Sequence, residues 1–469
     1  MEQNDELEIS VLKGDKLFNE NTPFIINISF PEPDIDNKRC KIDLICVIDS
    51  SFSMKGNKIY QVKESLKILI DLMEKDDRIA LILFNKKAKT YFDLQNLTEN
   101  NKNKLKEKID YIEINRGTNI LSGLKIAVDI IKNEKGKTTS ESRISSVILL
   151  SDGCDSRYND LELAELLKNM TKGLDLNFTL HTFGYGYYYD AKVMNKLATL
   201  RDGSFYYVED YNKVSEYFAC VLGGCLSVIS KKAELKVKLL NEYCKIVKIF
   251  GSENLYKFIL KDDIFETSML QLIGGKEYSY VLEIKIDERK INIGEQLLDI
   301  TFMYENNNDM INKNIKYKYE LKSIDYMKAN EEYVRSQVYS VLNEVLTLKQ
   351  NGKKIQAKQK LNEIKIWLEK NYKGDNKDYL KDVNKSYELF KNDDSIVLRS
   401  VKHINSQIMQ SQSKKQGSNM KFCNSIQINL MKSISDPFKL RFSGEIANNN
   451  FDLRKSVKLD FNFKKLYNE

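Results

Sequence analysis

Between residues 41 and 230 the chain repeats one rhythm, a short apolar run followed by a polar segment with helical spacing, and few folds accept it. Leu44-Ile45-Cys46-Val47-Ile48 is the first run, and Ile59, Val62, Leu66, Leu69 and Met73 follow at the spacing of one helical face. Arg78 to Phe84, Ser146 to Leu150, Phe178 to Phe183 and Ser204 to Val208 are the later runs, and Lys89 to Leu94 has the look of an edge strand. Near-continuous apolar runs suit parallel strands buried on both faces, and their alternation with helices predicts a doubly wound α/β sheet. Such sheets bind ligands beyond the C-terminal ends of their strands.

The first run ends in Asp49-Ser50-Ser51-Phe52-Ser53, one carboxylate and three hydroxyls at that rim. Short polar turns after strands also serve to satisfy backbone groups, so this pattern needs company. Two loops supply it. Gly117-Thr118-Asn119 precedes the helical pattern Ile120, Leu124, Ala127, Ile131, and Asp152 ends the run Val147 to Leu150. Asp49 and Asp152 then close parallel strands on one rim. All the donors are hard oxygens, which favour Mg²⁺, with Mn²⁺ or Ca²⁺ as substitutes, over zinc. Ser51, Ser53 and Thr118 offer neutral direct ligands, while Asp49 and Asp152 act directly or through water. Neutral ligands leave the ion's positive field uncompensated, which favours an incoming carboxylate as the last ligand.

These three loops resemble the metal-ion-dependent adhesion site of von Willebrand factor type A (VWA) domains: Asp49-x-Ser51-x-Ser53, Gly117-Thr118 and Ser151-Asp152-Gly153. The likeness runs over about residues 41–225 and includes His181-Thr182-Phe183-Gly184-Tyr185-Gly186 with Asp190. Fainter similarity reaches cytoplasmic proteins of ciliates and plants related to inter-alpha-trypsin inhibitor heavy chains. The resemblance implies a Rossmann-like domain that binds proteins through a divalent cation, generally without catalysis. Gly117 and Phe52 would then line the ligand-binding face. Phe52 departs from the family, which usually has glycine there, and a phenylalanine takes many glycine backbone angles only with strain. A strained loop would favour an alternative, a structural scaffold with a degenerate metal site that binds through its other parts.

Outside that region the rhythm changes. Residues 1–38 and 231–322 alternate apolar and polar positions, as in Leu235-Lys236-Val237-Lys238-Leu239. The N-terminal strands have no core of their own, so they are expected to complete an antiparallel β-sandwich into which the VWA domain, residues 39–230, is inserted. Residues 323–399 carry helical seams, among them Val334, Val338, Val341 and Val345, then Leu361, Ile364 and Leu368, then Tyr379, Val383, Tyr387 and Phe390. Three antiparallel helices are expected. Residues 400–469 read as a basic, partly disordered tail with strand-like fragments at Phe422 to Met431 and Val457 to Phe463.

The tail holds 12 Lys and Arg against 5 Asp and Glu, which accounts for the whole net charge of +7. A balanced body argues against nucleic-acid binding, and leaves an acidic partner or a membrane surface as a lesser role for the tail. No apolar run is long enough to span a bilayer and no secretory signal opens the chain. Seven scattered cysteines read as reduced thiols in a cytoplasmic protein. Two histidines, His181 and His403, and no Gly-x-Ser-x-Gly elbow argue against a hydrolase. The expected partner is a protein with an exposed Asp or Glu, and no enzymatic activity is expected.

Overall fold

The computed structural model describes residues 7–31, 40–135, 143–151, 155, 157–158, 160–174, 176–185, 191–208, 214–250, 259–306, 309–321, 324–391 and 426–428. It falls into two compact units, an α/β unit of residues 32–228, 273–275 and 416–469, and a second of residues 1–31, 229–272 and 276–415. Strands β1 (Glu8–Lys13) and β2 (Thr22–Ser29) open the chain and belong to the second unit.

The α/β unit is built on β3 (Lys41–Asp49), β4 (Arg78–Phe84), β5 (Ala88–Asn96), β6 (Arg143–Ser151), β7 (Thr179–Tyr185) and β8 (Phe205–Val208), in the order β5-β4-β3-β6-β7-β8. All neighbours are parallel except β5, an antiparallel edge beside β4. Its helices are α1 (Asn57–Leu72), α2 (Glu99–Asp110), α3 (Ile120–Lys135), α4 (Asp160–Thr171), α5 (Ala191–Leu200) and α6 (Val214–Leu226). Because side chains alternate along a strand, Ile42, Leu44, Cys46 and Ile48 of β3 share one face. They join Val62, Leu66 and Leu69 of α1 and Phe218 and Val221 of α6 in one core. Val47 points the other way, toward α3. There Gly123 sits so close that an added Cβ would stand 2.7 Å from Val47 Cγ1.

At the N-terminal end of the strands Asp43 is gripped from both sides. Arg78 donates to it through Nε (2.8 Å) and Nη2 (2.6 Å), and Arg143 through Nε (2.7 Å). Arg78 Nη1 also reaches Glu134 of α3 at 2.6 Å. The Asp43 hydrogen bonds hold the Arg78 guanidinium above its usual range. Residues 426–428 form a helical turn rather than the strand-like fragment expected there. Ile426 enters the core, and the buried Gln427 Nε2 donates to Cys220 O at 2.7 Å.

In the second unit, β9 (Val228–Ser230), β10 (Ala233–Leu239), β11 (Cys244–Ile249), β12 (Ile259–Lys261), β13 (Ile264–Met269), β14 (Leu272–Ile273), β15 (Glu277–Ile286), β16 (Gln296–Asn306) and β17 (Asp309–Lys318) follow in the chain. Two antiparallel sheets, β1-β2-β15-β11 and β12-β13-β10-β16-β17, face each other. Phe24, Ile26 and Ile28 of β2 meet Leu235, Val237, Ile300 and Phe302 of the opposite sheet. Strand β2, from before the α/β insertion, pairs with β15, from after it. The expected architecture, a VWA-like domain inserted in a sandwich and followed by helices, is the one observed.

Helices α7 (Tyr326–Gln350), α8 (Lys354–Lys370) and α9 (Lys377–Ser386) complete this unit, joined by Val338, Val345, Leu361, Ile364, Leu368 and Val383. Helix α7 also covers the outer face of β2, where Ile25 packs with Ala329 and Tyr333. That second cover explains why Thr22 through Ile28 are all buried. Beneath it lies a carboxylate with neutral donors: Glu283 accepts from Tyr333 OH (2.8 Å), Gln337 Nε2 (2.9 Å) and Asn19 Nδ2 (3.1 Å).

Candidate metal site

Strand β3 delivers Asp49 fully buried to the C-terminal rim of the sheet. Its two oxygens have separate tasks. Oδ1 accepts the Ser51 N–H at 2.8 Å, folding the loop back on itself, and Oδ2 accepts the Ser151 hydroxyl at 2.6 Å. Register explains the second bond, because Ile48 pairs with Leu150 and puts Asp49 level with Ser151. A single 3-10 turn, Phe52–Met54, follows, and Met54 N–H closes on Ser51 O at 3.0 Å. This turn aligns the Ser51 and Ser53 hydroxyls, which share a hydrogen bond of 2.9 Å.

The loop containing Gly117 and Thr118 is laid alongside. Asn115 forms a parallel bridge with Ser51, and its N–H donates to Ser50 O at 2.8 Å. Ser50 Oγ donates to Phe84 O at 3.0 Å and accepts from Asn85 Nδ2 at 3.3 Å, so the β4 end is tied in as well. Gly117 has φ +91 and sits against Lys86, with an added Cβ 3.0 Å from the Lys86 Cβ. A side chain there meets both backbone strain and a clash. Helix α3 is capped by Asn119, whose Oδ1 accepts from Ser122 N at 2.9 Å. Thr118 therefore stands one residue outside the cap. Its hydroxyl takes no hydrogen-bond partner among the described residues, and its carbonyl accepts from Arg157 Nη2 at 2.7 Å.

Two residues outside the sequence motif hold this arrangement. Asp155 is buried and accepts from Ile120 N at 3.0 Å through Oδ2. Arg157 grips the same carboxylate with Nε and Nη2, both at 2.8 Å, and thereby joins the start of α3 to the loop after β6. A charged pair two residues apart just past a strand end was the available signal. Asp152 and Gly153, like Gly186 and Asp190, lie outside the described residues.

The donors fit a small hard cation. Adjacent oxygens around an octahedral Mg²⁺ at ~2.05 Å stand ~2.9 Å apart, the separation of the two serine hydroxyls. Thr118 adds a hydroxyl not engaged by its own helix, and Asp49 braces the loops from beneath. No group of three or more His, Cys, Asp or Glu side chains suited to a metal occurs among the described residues. A hydroxyl-based site with one carboxylate from β3 is the chemistry present. His181 plays no part: it is buried in β7 and its Nδ1 accepts from Ser204 N at 3.1 Å.

Phe52 corrects one expectation. The described non-glycine residues with positive φ are Asp202, Asp262 and Asp263, so Phe52 occupies ordinary right-handed turn geometry. Its ring is 60% exposed, with Lys55 Nζ 5.4 Å from the centroid. The loop has no need of glycine at this position.

A doubly wound sheet with an antiparallel edge and a polar constellation at its C-terminal rim defines a class of α/β binding domain. Residues 43–219 match the von Willebrand factor type A domain. Such domains generally mediate protein–protein interactions, often with a metal ion. The chain is 30% identical over 206 residues to an uncharacterized protein of Synechocystis sp., covering 44% of this chain and 47% of the relative. It is 31% identical over 164 residues to inter-alpha-trypsin inhibitor heavy chain H2 of Homo sapiens, covering 34% and 17%. The chain thus spans about half of the first relative and about a sixth of the second. Among solved structures, a von Willebrand factor type A protein from Catenulispora acidiphila matches with TM-score 0.64 at 14% identity, over 88% of this chain and 97% of that one. The fold is therefore shared well beyond the inserted domain. No helix among the described residues is long and apolar enough to cross a membrane.

Proposed function

We propose that the VWA domain is a divalent-cation-dependent protein-binding module. Ser51, Ser53 and Thr118 hold Mg²⁺ directly, Asp49 and Asp152 hold it directly or through water, and an Asp or Glu of a partner completes the shell. When bound, the ion supplies a positive centre that draws a carboxylate. The observation that carries this reading is the convergence of the Ser51 and Ser53 hydroxyls, hydrogen-bonded to each other at 2.9 Å and able to turn their lone pairs to an ion, with the Thr118 hydroxyl outside its helix cap. Binding rather than catalysis is the reading, because His181 is committed within the sheet. The scaffold alternative rested on a strained Phe52, and Phe52 adopts unstrained geometry. The odd number and scattered placement of the cysteines fit a reducing, cytoplasmic setting.

Thermal unfolding with MgCl₂ and with chelator tests the reading. At ~100-fold over Kd a bound cation stabilises by ~2.7 kcal/mol, which raises the melting temperature of a unit this size by roughly 5–10 °C. Asp49→Ala should abolish the shift. An equal melting temperature with Mg²⁺, Mn²⁺ or chelator in the wild-type chain would overturn the proposal.

A further inference from the structure

The rim around the candidate metal site carries an unusual surface. Among the described residues of the α/β unit, the exposed large apolar or aromatic side chains are Phe52, Tyr60, Tyr111 and Leu174. Three of the four fall on one side of the site. Phe52 stands between the two metal-facing serines. Tyr60 lies one turn into α1, its N–H bonded to Gly56 O at 3.3 Å. Tyr111 follows α2 and is placed by Lys63, one turn beyond Tyr60, whose Nζ donates to Asp110 O (2.9 Å) and Ile112 O (3.2 Å). Phe52 precedes α1, Tyr60 stands in its first turn, and Tyr111 is tied to its next turn through Lys63.

The loops nearest Phe52 are basic. Residues 50–58, 85–87 and 114–119, three of the rim loops, contain five Lys or Arg and no Asp or Glu, whereas Asp110 and Glu113 flank Tyr111 and the loop after β6 carries Asp152 and Asp155. Lys55 lies over the Phe52 ring, Lys58 Nζ donates to Ser53 O at 3.1 Å, and Lys86 backs Gly117. The acids beneath the rim are engaged inside the protein, Asp49 with Ser51 and Ser151, and Asp155 with Arg157. The chain's balanced body makes this local excess a feature of the site.

We infer that the site takes a linear acidic segment of a protein partner, in which the metal-bound carboxylate is flanked by further acidic residues and by an aromatic residue that packs on Phe52 and Tyr60. This rests on the metal-capture reading above and adds to it a sequence requirement that only this chain's Phe52, Tyr60 and lysine collar impose. An aromatic ring gains dispersion and apolar burial against Phe52, and flanking carboxylates gain on-rate and selectivity from the collar. A polynucleotide also favours lysines and rings, but the hydroxyl-lined metal site beside Phe52 favours a carboxylate donor.

Fluorescence anisotropy on the full chain tests this with labelled Gly-Glu-Asp-Phe-Glu-Gly in MgCl₂ and three variants: Phe to Ser, both Glu to Gln, and Asp to Asn. The parent peptide should bind about fivefold or more tighter than the Ser and Gln peptides, and the Asn peptide should not bind. Phe52→Ser with Tyr60→Ser should erase the preference for Phe, and Lys55→Glu with Lys86→Glu the preference for flanking Glu. All four positions are solvent-facing, so unchanged thermal unfolding controls for folding. Binding that needs Mg²⁺ and the central Asp but is indifferent to Phe and Glu overturns this inference alone. No binding of any peptide overturns it together with metal capture. Displacement of the parent peptide by oligo-dT at lower concentration than by unlabelled peptide overturns the choice of partner.

Discussion

Ser51 and Ser53 owe their alignment to bonds made within five residues, the Asp49 carboxylate to the Ser51 N–H and the turn that closes on Ser51 O. That locality is why the Asp-x-Ser-x-Ser spacing could be read from the sequence. The bond from Ser151 to Asp49 and the roles of Asp155 and Arg157 could not be read in the same way, because each acts on a residue 35 or more positions away. The Ser151 bond exists only through the β3–β6 register. Arg157→Ala should free the Thr118 carbonyl and weaken Mg²⁺ affinity by about tenfold, the scale of a lost outer-shell partner, as calorimetric titration will show, and should also lower the cation-free melting temperature, because the buried Asp155 carboxylate loses its charge partner. Gly117→Ala should cost ~1–2 kcal/mol from its φ alone and more from Lys86, as urea unfolding will show. Burial pushes the Cys46 and Cys225 thiols up to about 12. Native protein at pH 8 should therefore leave both unalkylated by iodoacetamide, and mass spectrometry should find them labelled only after unfolding. The sign for stability follows: unfolded thiols ionise first as pH rises, so this contribution is lost between the ordinary thiol value and about 12.

At the scale of elements, the apolar runs and helical spacings marked β3, β4, β6, β7 and α1 within a few residues, because burial on both faces leaves a one-sided pattern in composition. Two things escaped. Helix α7 was legible as a seam, but its seat on β2 was not, since a strand covered twice looks like any apolar run. The turn at residues 426–428 was read as strand-like because three residues cannot display a helical period. Its packing makes a test. Gly223 leaves space for Gln427, with an added Cβ 3.0 Å from Gln427 Cα, so Gly223→Leu should expel the turn and lower the melting temperature, with new hydrogen exchange in α6. At the other end of the strands, Asp43→Ala leaves two guanidinium groups without their shared acid. Breaking such a buried network costs ~3–5 kcal/mol, and chemical denaturation should register a loss on that scale.

Across the whole molecule, the insertion was legible because residues 1–38 alternate like strands yet are too few to close a core. The structure gives the reason in a single pairing: β2 lies between β1 and β15 and is buried along its length. Deleting residues 1–31 should therefore unfold the sandwich unit while the α/β unit keeps its fold, and limited proteolysis should cut first within residues 233–318. Hydroxyls at the rim of the α/β sheet are proposed to hold one divalent cation. Electron paramagnetic resonance of Mn²⁺ titrated into the full chain measures this without a partner. The free Mn²⁺ signal should be lost up to one equivalent in wild type and recovered by competing Mg²⁺, with no such loss in the Ser51→Ala, Ser53→Ala double variant. A free signal that rises from the first addition in wild type, or a double variant that binds as wild type does, would contradict it.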